Sequence, residues 1–297
     1  MSGIPYFGEA LALSCAMVWA VAVILFKKSG ESVHPIALNL FKNVLAAALM
    51  LPTLYLLGES LWRPAGAPDY LILLASGVLG IGMADTFFFM GLNLLGAGLS
   101  ASVGCLYVFF VIALSLFYLG ESLSLWQIVG VLMVVSAVLG VTSGKWVVEI
   151  PRKDLWRGIF WAALAQLLNA AGIVAAKPVL ERSPLAWAME WRLLGGIFVL
   201  VVVFLLRRDG RALLATLAGT RHWTYVVSSS WFGAYASPFL WLAGFKYTHA
   251  STAAVLNQTS NIFVFILAAL LLREPVTLAR TVGIALGVAG AYLVMFG

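Results

Sequence analysis

Charge is scarce in this sequence: Asp, Glu, Lys and Arg make up 10% of 297 residues, 12 of them acidic and 18 basic. A soluble domain carries about a quarter charged residues, so an ordinary water-facing surface is excluded. Histidine is nearly absent. His34, His222 and His249 are dispersed near the ends of apolar runs, which leaves no zinc-protease helix and no cluster of metal ligands. The two cysteines, Cys15 and Cys105, lie inside apolar segments and suit neither a disulfide framework nor a metal site. No P-loop occurs, which excludes self-contained ATP drive. With no catalytic set in sight, no enzymatic activity, cofactor or metal is expected. No polar stretch is long enough to form a soluble domain, so any site must be built from helices.

What fills the sequence is apolar surface. Hydrophobic residues make up 63% of it and the mean hydropathy is +1.02, more than one soluble core of this length can hide. Lipid must cover the rest, which predicts an all-α integral membrane protein. A bilayer-crossing helix needs about 20 mostly apolar residues. Ten stretches meet that length: 8–26, 36–57, 70–93, 98–118, 125–143, 158–177, 185–206, 222–245, 251–272 and 278–296. The first has no basic segment before it and reads as a retained helix, not a cleaved signal. The longest polar connection, 145–157, divides a first five-helix segment, 1–144, from a second, 158–297.

The two segments are related. A shift of 153 residues pairs Phe110-Val111 with Phe263-Val264, Glu121 with Glu274, Leu125 with Leu278 and Val129-Gly130 with Val282-Gly283; upstream, Gly91 falls on Gly244. Apolar matches count for little in such helices. An acidic residue closing one helix, followed by Leu four positions on and Gly nine on, is hard to obtain by accident. The early helices correspond with a small drift, Lys27 to Lys177 and Pro35 to Pro184. Five is odd, so two five-helix copies enter the membrane from opposite sides, giving an inverted-topology repeat. Basic residues agree with that alternation. Lys27, Lys28, Lys145, Arg152, Lys153, Arg157, Arg207, Arg208, Arg211, Arg221, Arg273 and Arg280 share one side, and only Arg63, Lys177, Arg182 and Lys246 lie on the other. The positive-inside rule makes the first side cytoplasmic and turns both termini outward. The net charge of +6 therefore reads as topology, not as a nucleic-acid footprint.

The segments Gly120-Glu121-Ser122-Leu123-Ser124-Leu125 and Arg273-Glu274-Pro275-Val276-Thr277-Leu278 each join two helices, with glycines in the second. This pattern resembles the EamA family of the drug/metabolite transporter superfamily, over nearly the whole chain and most strongly over 91–143 and 244–296. The resemblance implies ten transmembrane helices in two repeats, multi-pass placement in a bacterial inner membrane, and a role like that of exporters and permeases for amino acids, nucleotide sugars, cofactors or quaternary amines. Members commonly carry a basic residue early in spans 2 and 7. Lys42 and Arg192 fit, one residue out of register relative to Pro35 and Pro184.

Ionisable groups inside a span cost roughly 2.5–3.5 kcal/mol on insertion scales, so each needs a reason. Span 2 holds Asn39, Lys42 and Asn43, span 3 holds Asp85, and span 7 holds Glu190 and Arg192. Lys42 and Arg192 are near counterparts that can face a central cavity from opposite sides. The alternative for Lys42 is a structural pair with Asp85, and for Arg192 a carbonyl near a helix end. Asp85 reads equally as ion-pair partner or functional carboxylate. Glu190 is the candidate for proton coupling, against an interfacial position near the start of its helix. It lies two residues from Arg192, so the two cannot point the same way. Span 9 carries Asn257-Gln258-Thr259-Ser260-Asn261, with Asn257, Ser260 and Asn261 on one face. Five polar side chains in a row suit a cavity wall better than interhelical glue. Gln166 and Asn169 are weaker candidates of the same kind. Tyr107, Trp191 and Trp241 offer deep aromatic surface, while Trp62, Trp187 and Trp223 read as interfacial anchors. Ser237-Pro238 is expected to kink span 8.

These residues suit a secondary transporter working by alternating access. Lys42 and Arg192 would attract a carboxylate or phosphate, span 9 would orient it, and Trp191 or Tyr107 would pack its apolar part. Charges of both signs favour an amino-acid-like zwitterion, exported from the cell. The alternatives are a channel-like or scaffold subunit, or an exporter of amines or sugar nucleotides. The expected partners are the small-molecule substrate and membrane lipids, with no nucleic acid, in a monomer or homodimer.

Overall fold

The computed structural model describes residues 6–119, 124–126, 128–130, 132–133, 136, 150–247 and 250–296. Most of the fifth expected span, Glu121, Lys145 and His249 lie outside them. The described residues form helices and connecting turns, with no strand among them. In order these are α1 (Phe7–Ser29), α2 (Pro35–Leu56), α3 (Ala67–Gly77), a π-helical turn π1 (Val78–Met83), α4 (Ala84–Gly104), α5 (Leu106–Leu119), α6 (Arg152–Arg182), α7 (Leu185–Leu206), α8 (Gly210–Ala218), α9 (Trp223–Ser230), a second π turn π2 (Trp231–Ala236), α10 (Ser237–Tyr247), α11 (Ala250–Leu271) and α12 (Leu278–Phe296).

Among the described residues, five continuous runs are long and apolar enough to cross a bilayer: Phe7–Ser29, Pro35–Leu56, Ala67–Gly104, Arg152–Arg182 and Leu185–Leu206. The remaining expected spans are broken or shorter among the described residues. The run 67–104 holds the whole third expected span and the start of the fourth, divided at Gly96. There the backbone takes φ 77° and ψ 174°, a conformation that only glycine adopts readily. The helix restarts with its first amides capped from the other half of the chain. Ala97 and Gly98 N–H groups donate to the two carboxylate oxygens of Glu274, at 2.8 and 3.1 Å. A carboxylate at a helix N-terminus satisfies orphan donors and opposes the dipole. The glutamate that marked the repeat is thus a cap joining the two halves.

Large apolar side chains such as Leu56, Phe198, Leu205, Leu206 and Leu270 stay exposed, as they must where lipid is the solvent. The buried core lies between the halves. α1 packs on α9, π2, α10 and α11, while α6 packs on α3, π1, α4 and α5. α2 and α7, counterparts in the repeat, pack on each other. Small residues make this possible at equivalent places. A methyl group added to Gly91 would come within 3.1 Å of Ala162, and one added to Gly244 within 3.3 Å of Ala12.

The two π turns are themselves counterparts, for Trp231–Ala236 follows Val78–Met83 by the same 153-residue shift. A π turn widens a helix locally and leaves backbone carbonyls short of partners. In the second half Pro238, two residues past the turn, lacks the N–H that a regular helix would use. The sharp kink expected at Ser237-Pro238 is a wide turn just before them. In the first half no proline is present, and Asn39 does the compensating. Its side-chain amide donates to the carbonyls of Ile81 and Gly82 at 3.1 and 2.9 Å and to Thr86 Oγ1 at 2.8 Å.

Candidate functional site

A cavity of about 190 Å³ lies between the halves, bounded by α1, α2, the π1–α4 and α5 segments, and by α6, α7, the π2–α10 segment and α11. Its walls repeat. Gly80, Ile81, Ala84, Asp85 and Phe88 line it from the first half; Gly233, Ala234, Ser237, Pro238 and Trp241, the same positions shifted by one repeat, line it from the second. Gly104 and Tyr107 are matched in the same way by Asn257 and Ser260. Ala16 and Trp19 of α1 face Gln166 and Asn169 of α6, their counterparts at the Lys27-to-Lys177 spacing. The two repeats therefore wall the cavity with equivalent positions. Both π turns contribute to its wall, Gly80 and Ile81 from the first and Gly233 and Ala234 from the second.

Three charged side chains line it: Lys42, Asp85 and Arg192. Lys42 Nζ lies 2.6 Å from Asp85 Oδ2 and also donates to Asn43 Oδ1 at 3.1 Å. Asn43 in turn donates to Asn39 Oδ1 at 2.8 Å. A hydrogen-bond chain thus runs from the ion pair to the π1 carbonyls, so the Lys42–Asp85 pair locks α2 to α4. Arg192 is different. It is 4% exposed, its Nε has no partner, and it donates to no described residue. The guanidinium carbon lies 5.5 Å from the centre of the Trp241 ring, within cation–π reach.

Other polar groups here are orphaned too. Buried side-chain atoms without a partner occur at Arg63, Ser100, Tyr107, Glu190, Arg192 and Asn257 among the described residues. Four of those six residues, Ser100, Tyr107, Arg192 and Asn257, line this one cavity. A buried polar atom left unpaired costs about 1–3 kcal/mol, so their convergence marks a place where another molecule completes the bonding. The set holds a guanidinium, an amide N–H₂ and its oxygen, and two hydroxyls that can donate or accept.

Several expected residues stand elsewhere. Asn39 is wholly buried behind the cavity wall, spent on π1. Trp191 points away from the cavity: its indole N–H donates to the Leu61 carbonyl at 3.2 Å, and its ring packs edge-on against Trp62 and Tyr70. The Trp187 indole donates to the same carbonyl and is fully buried, so it is no interfacial anchor. Glu190 also lies off the cavity. It is 1% exposed, and its Oε2 has no partner. Asn257, Ser260 and Asn261 line the cavity as their spacing suggests, Asn261 also donating to Cys105 Sγ at 3.5 Å. The Gln258 side chain lies outside what is described. Phe88, Trp19 and Ser100 were missed, and the repeat shift carries Trp241 back onto Phe88.

The EamA-like transporter family model matches the chain twice, over residues 6–143 and 156–296. A solved crystal structure aligns with 96% of this chain and 95% of its own, at a TM-score of 0.68 and 18% identity, which speaks for the fold alone. No curated protein matches.

Proposed function

The chain belongs to the EamA-like transporter family and is a multi-pass membrane transporter, and from that premise we propose that it exports a small carboxylate-bearing metabolite through the central cavity by alternating access. In this reading ten spans form two inverted repeats in a bacterial inner membrane, and the halves rock about the axis on which the cavity lies. The observation that carries it is the convergence of orphaned polar groups from both halves, Ser100, Tyr107, Arg192 and Asn257, on one cavity.

The cargo's size follows from the space. About 190 Å³ is below the roughly 300–1,000 Å³ of sites for drug-sized ligands, which favours an amino-acid-sized solute over a sugar nucleotide. The zwitterion expected from free charges of both signs loses ground, because Lys42 and Asp85 are engaged with each other. A buried, unpaired guanidinium in the wall speaks against an amine. Glu190 is the coupling carboxylate in this account, buried off the cavity with no hydrogen-bond partner among the described residues.

The test is counterflow in proteoliposomes, screening radiolabelled carboxylates, amino acids, amines and sugar nucleotides with protein-free vesicles as the control. Trans-stimulated uptake of a small carboxylate-bearing solute is expected. Absence of counterflow for every class, or a conductance that saturates with no solute, would favour a channel or scaffold and overturn the proposal.

A further inference from the structure

We propose that the cargo is a small monocarboxylate of net charge −1, its carboxylate held by Arg192 and its apolar body against Trp241 and Phe88; this rests on the cavity being the transport site. The argument is a charge balance. Lys42, Asp85 and Arg192 are the charged side chains lining the cavity among the described residues. The first two are in contact at 2.6 Å and cancel. One positive charge remains, buried within a membrane-spanning bundle, where an uncompensated ion is costly.

A carboxylate neutralises it and matches it in shape. The guanidinium is a planar fork that takes two carboxylate oxygens side by side. Its Nε–H has no partner, and the ground beside the guanidinium is kept clear. A methyl group added at Gly80 would lie 3.4 Å from Arg192 Nη2 and equally close to Asn169 Oδ1, so glycine there leaves room for a ligand oxygen. A zwitterion would bring no net charge. It would leave the site positive and put its ammonium beside a carboxylate already bonded to Lys42. An amine would raise the charge further. A phosphate dianion would overshoot to negative and needs more cations than are free. The remaining lining is aromatic, with Trp19, Phe88 and Trp241 on the walls, so the part of the cargo behind the carboxylate is apolar or planar. Tyr107, Ser100 and Asn257 are left to bond the second face of the carboxylate or a single polar substituent.

The experiment uses the full chain in lipid nanodiscs and three probes with one body: 3-phenylpropanoate, phenylalanine and 2-phenylethylamine, of net charge −1, 0 and +1. Binding is read by tryptophan fluorescence or calorimetry, with wild type, Arg192→Gln and Arg192→Lys. The carboxylate should bind at least about tenfold more tightly than either other probe. Arg192→Gln should lose about 10- to 100-fold for it, the range of a charged hydrogen-bonded contact. Arg192→Lys, which keeps the charge but not the fork, should fall between. If Arg192→Gln does not fold, the wild-type order of the three probes decides alone. Equal or tighter binding of the amino acid or the amine overturns the charge assignment, as does an Arg192→Gln variant of unchanged affinity or binding of none of the three. Counterflow of an amine or zwitterion would sink this inference while leaving the transporter reading intact; only the absence of all counterflow sinks both.

Discussion

Replacing Lys42 with Met removes the partner of Asp85, and the structure sets the size of the loss. At 2.6 Å and an effective dielectric near 20, the attraction is about 6 kcal/mol. Much of that offsets the desolvation of two charges, and removing one member of a buried pair typically costs about 3–5 kcal/mol. Asp85 is 24% exposed to the cavity, where water reaches it, so a cost of about 2–3 kcal/mol is expected. The loss spreads, because Lys42 also bonds Asn43, Asn43 bonds Asn39, and Asn39 holds the π1 carbonyls. Denaturant titration in mild detergent measures the loss. Adding Asp85→Asn to the same chain should recover part of it, with a coupling energy of at least about 1 kcal/mol in the double-mutant cycle. A single-variant loss within about 0.5 kcal/mol, as at an ordinary surface site, together with additive behaviour, would refute the lock.

Three further outcomes follow from named contacts. Glu274→Ala removes the acceptor for the Ala97 and Gly98 amides and should cost about 1–2 kcal/mol; hydrogen exchange at those two amides should accelerate, and unchanged protection would rule out the cap. His34 caps α2 by accepting from Ile36 N–H at 3.3 Å, and burial, aided by Arg207, holds its imidazolium below the usual range. A histidine lowered on folding contributes stability above its ordinary pKa of about 6.5 and loses it as pH falls from there through the lower folded value. The thermal midpoint should therefore drop from about pH 8 to about pH 5 by more in wild type than in His34→Asn, and parallel drops would count against it. Glu190→Gln should keep counterflow but lose the response to an imposed pH gradient; a retained response would remove Glu190 from coupling.

Much of the architecture was legible because the repeat survives as spacing. The Glu121 and Glu274 motif led to the family, and the shift it defined reappears in the paired π turns and in Phe88 opposite Trp241. The Lys42–Asp85 pair stood among the open alternatives. Helix phase was not legible. A soluble helix shows its inner face by where its polar residues lie, but a span in lipid is apolar on both sides. Spacing alone separates Glu190 from Arg192, but it does not say which of the two faces the cavity, nor that Trp191 turns away from it. The π turns were hidden for a different reason: Val78–Met83 and Trp231–Ala236 share only their third residue, glycine, and in the first half the wide turn depends on Asn39, more than a full span away.

The central claim is that the cavity on the axis between the halves opens to each side of the membrane in turn. A single cysteine at Ala84, a wall position beside Asp85, tests it in a chain whose Cys15 and Cys105 are replaced by alanine. Labelling by an impermeant maleimide is followed in right-side-out and inside-out vesicles, with and without bound cargo. The account predicts labelling from both sides, slowed from each by a transported solute. Labelling from one side alone under every condition would show a closed-ended pocket and contradict it.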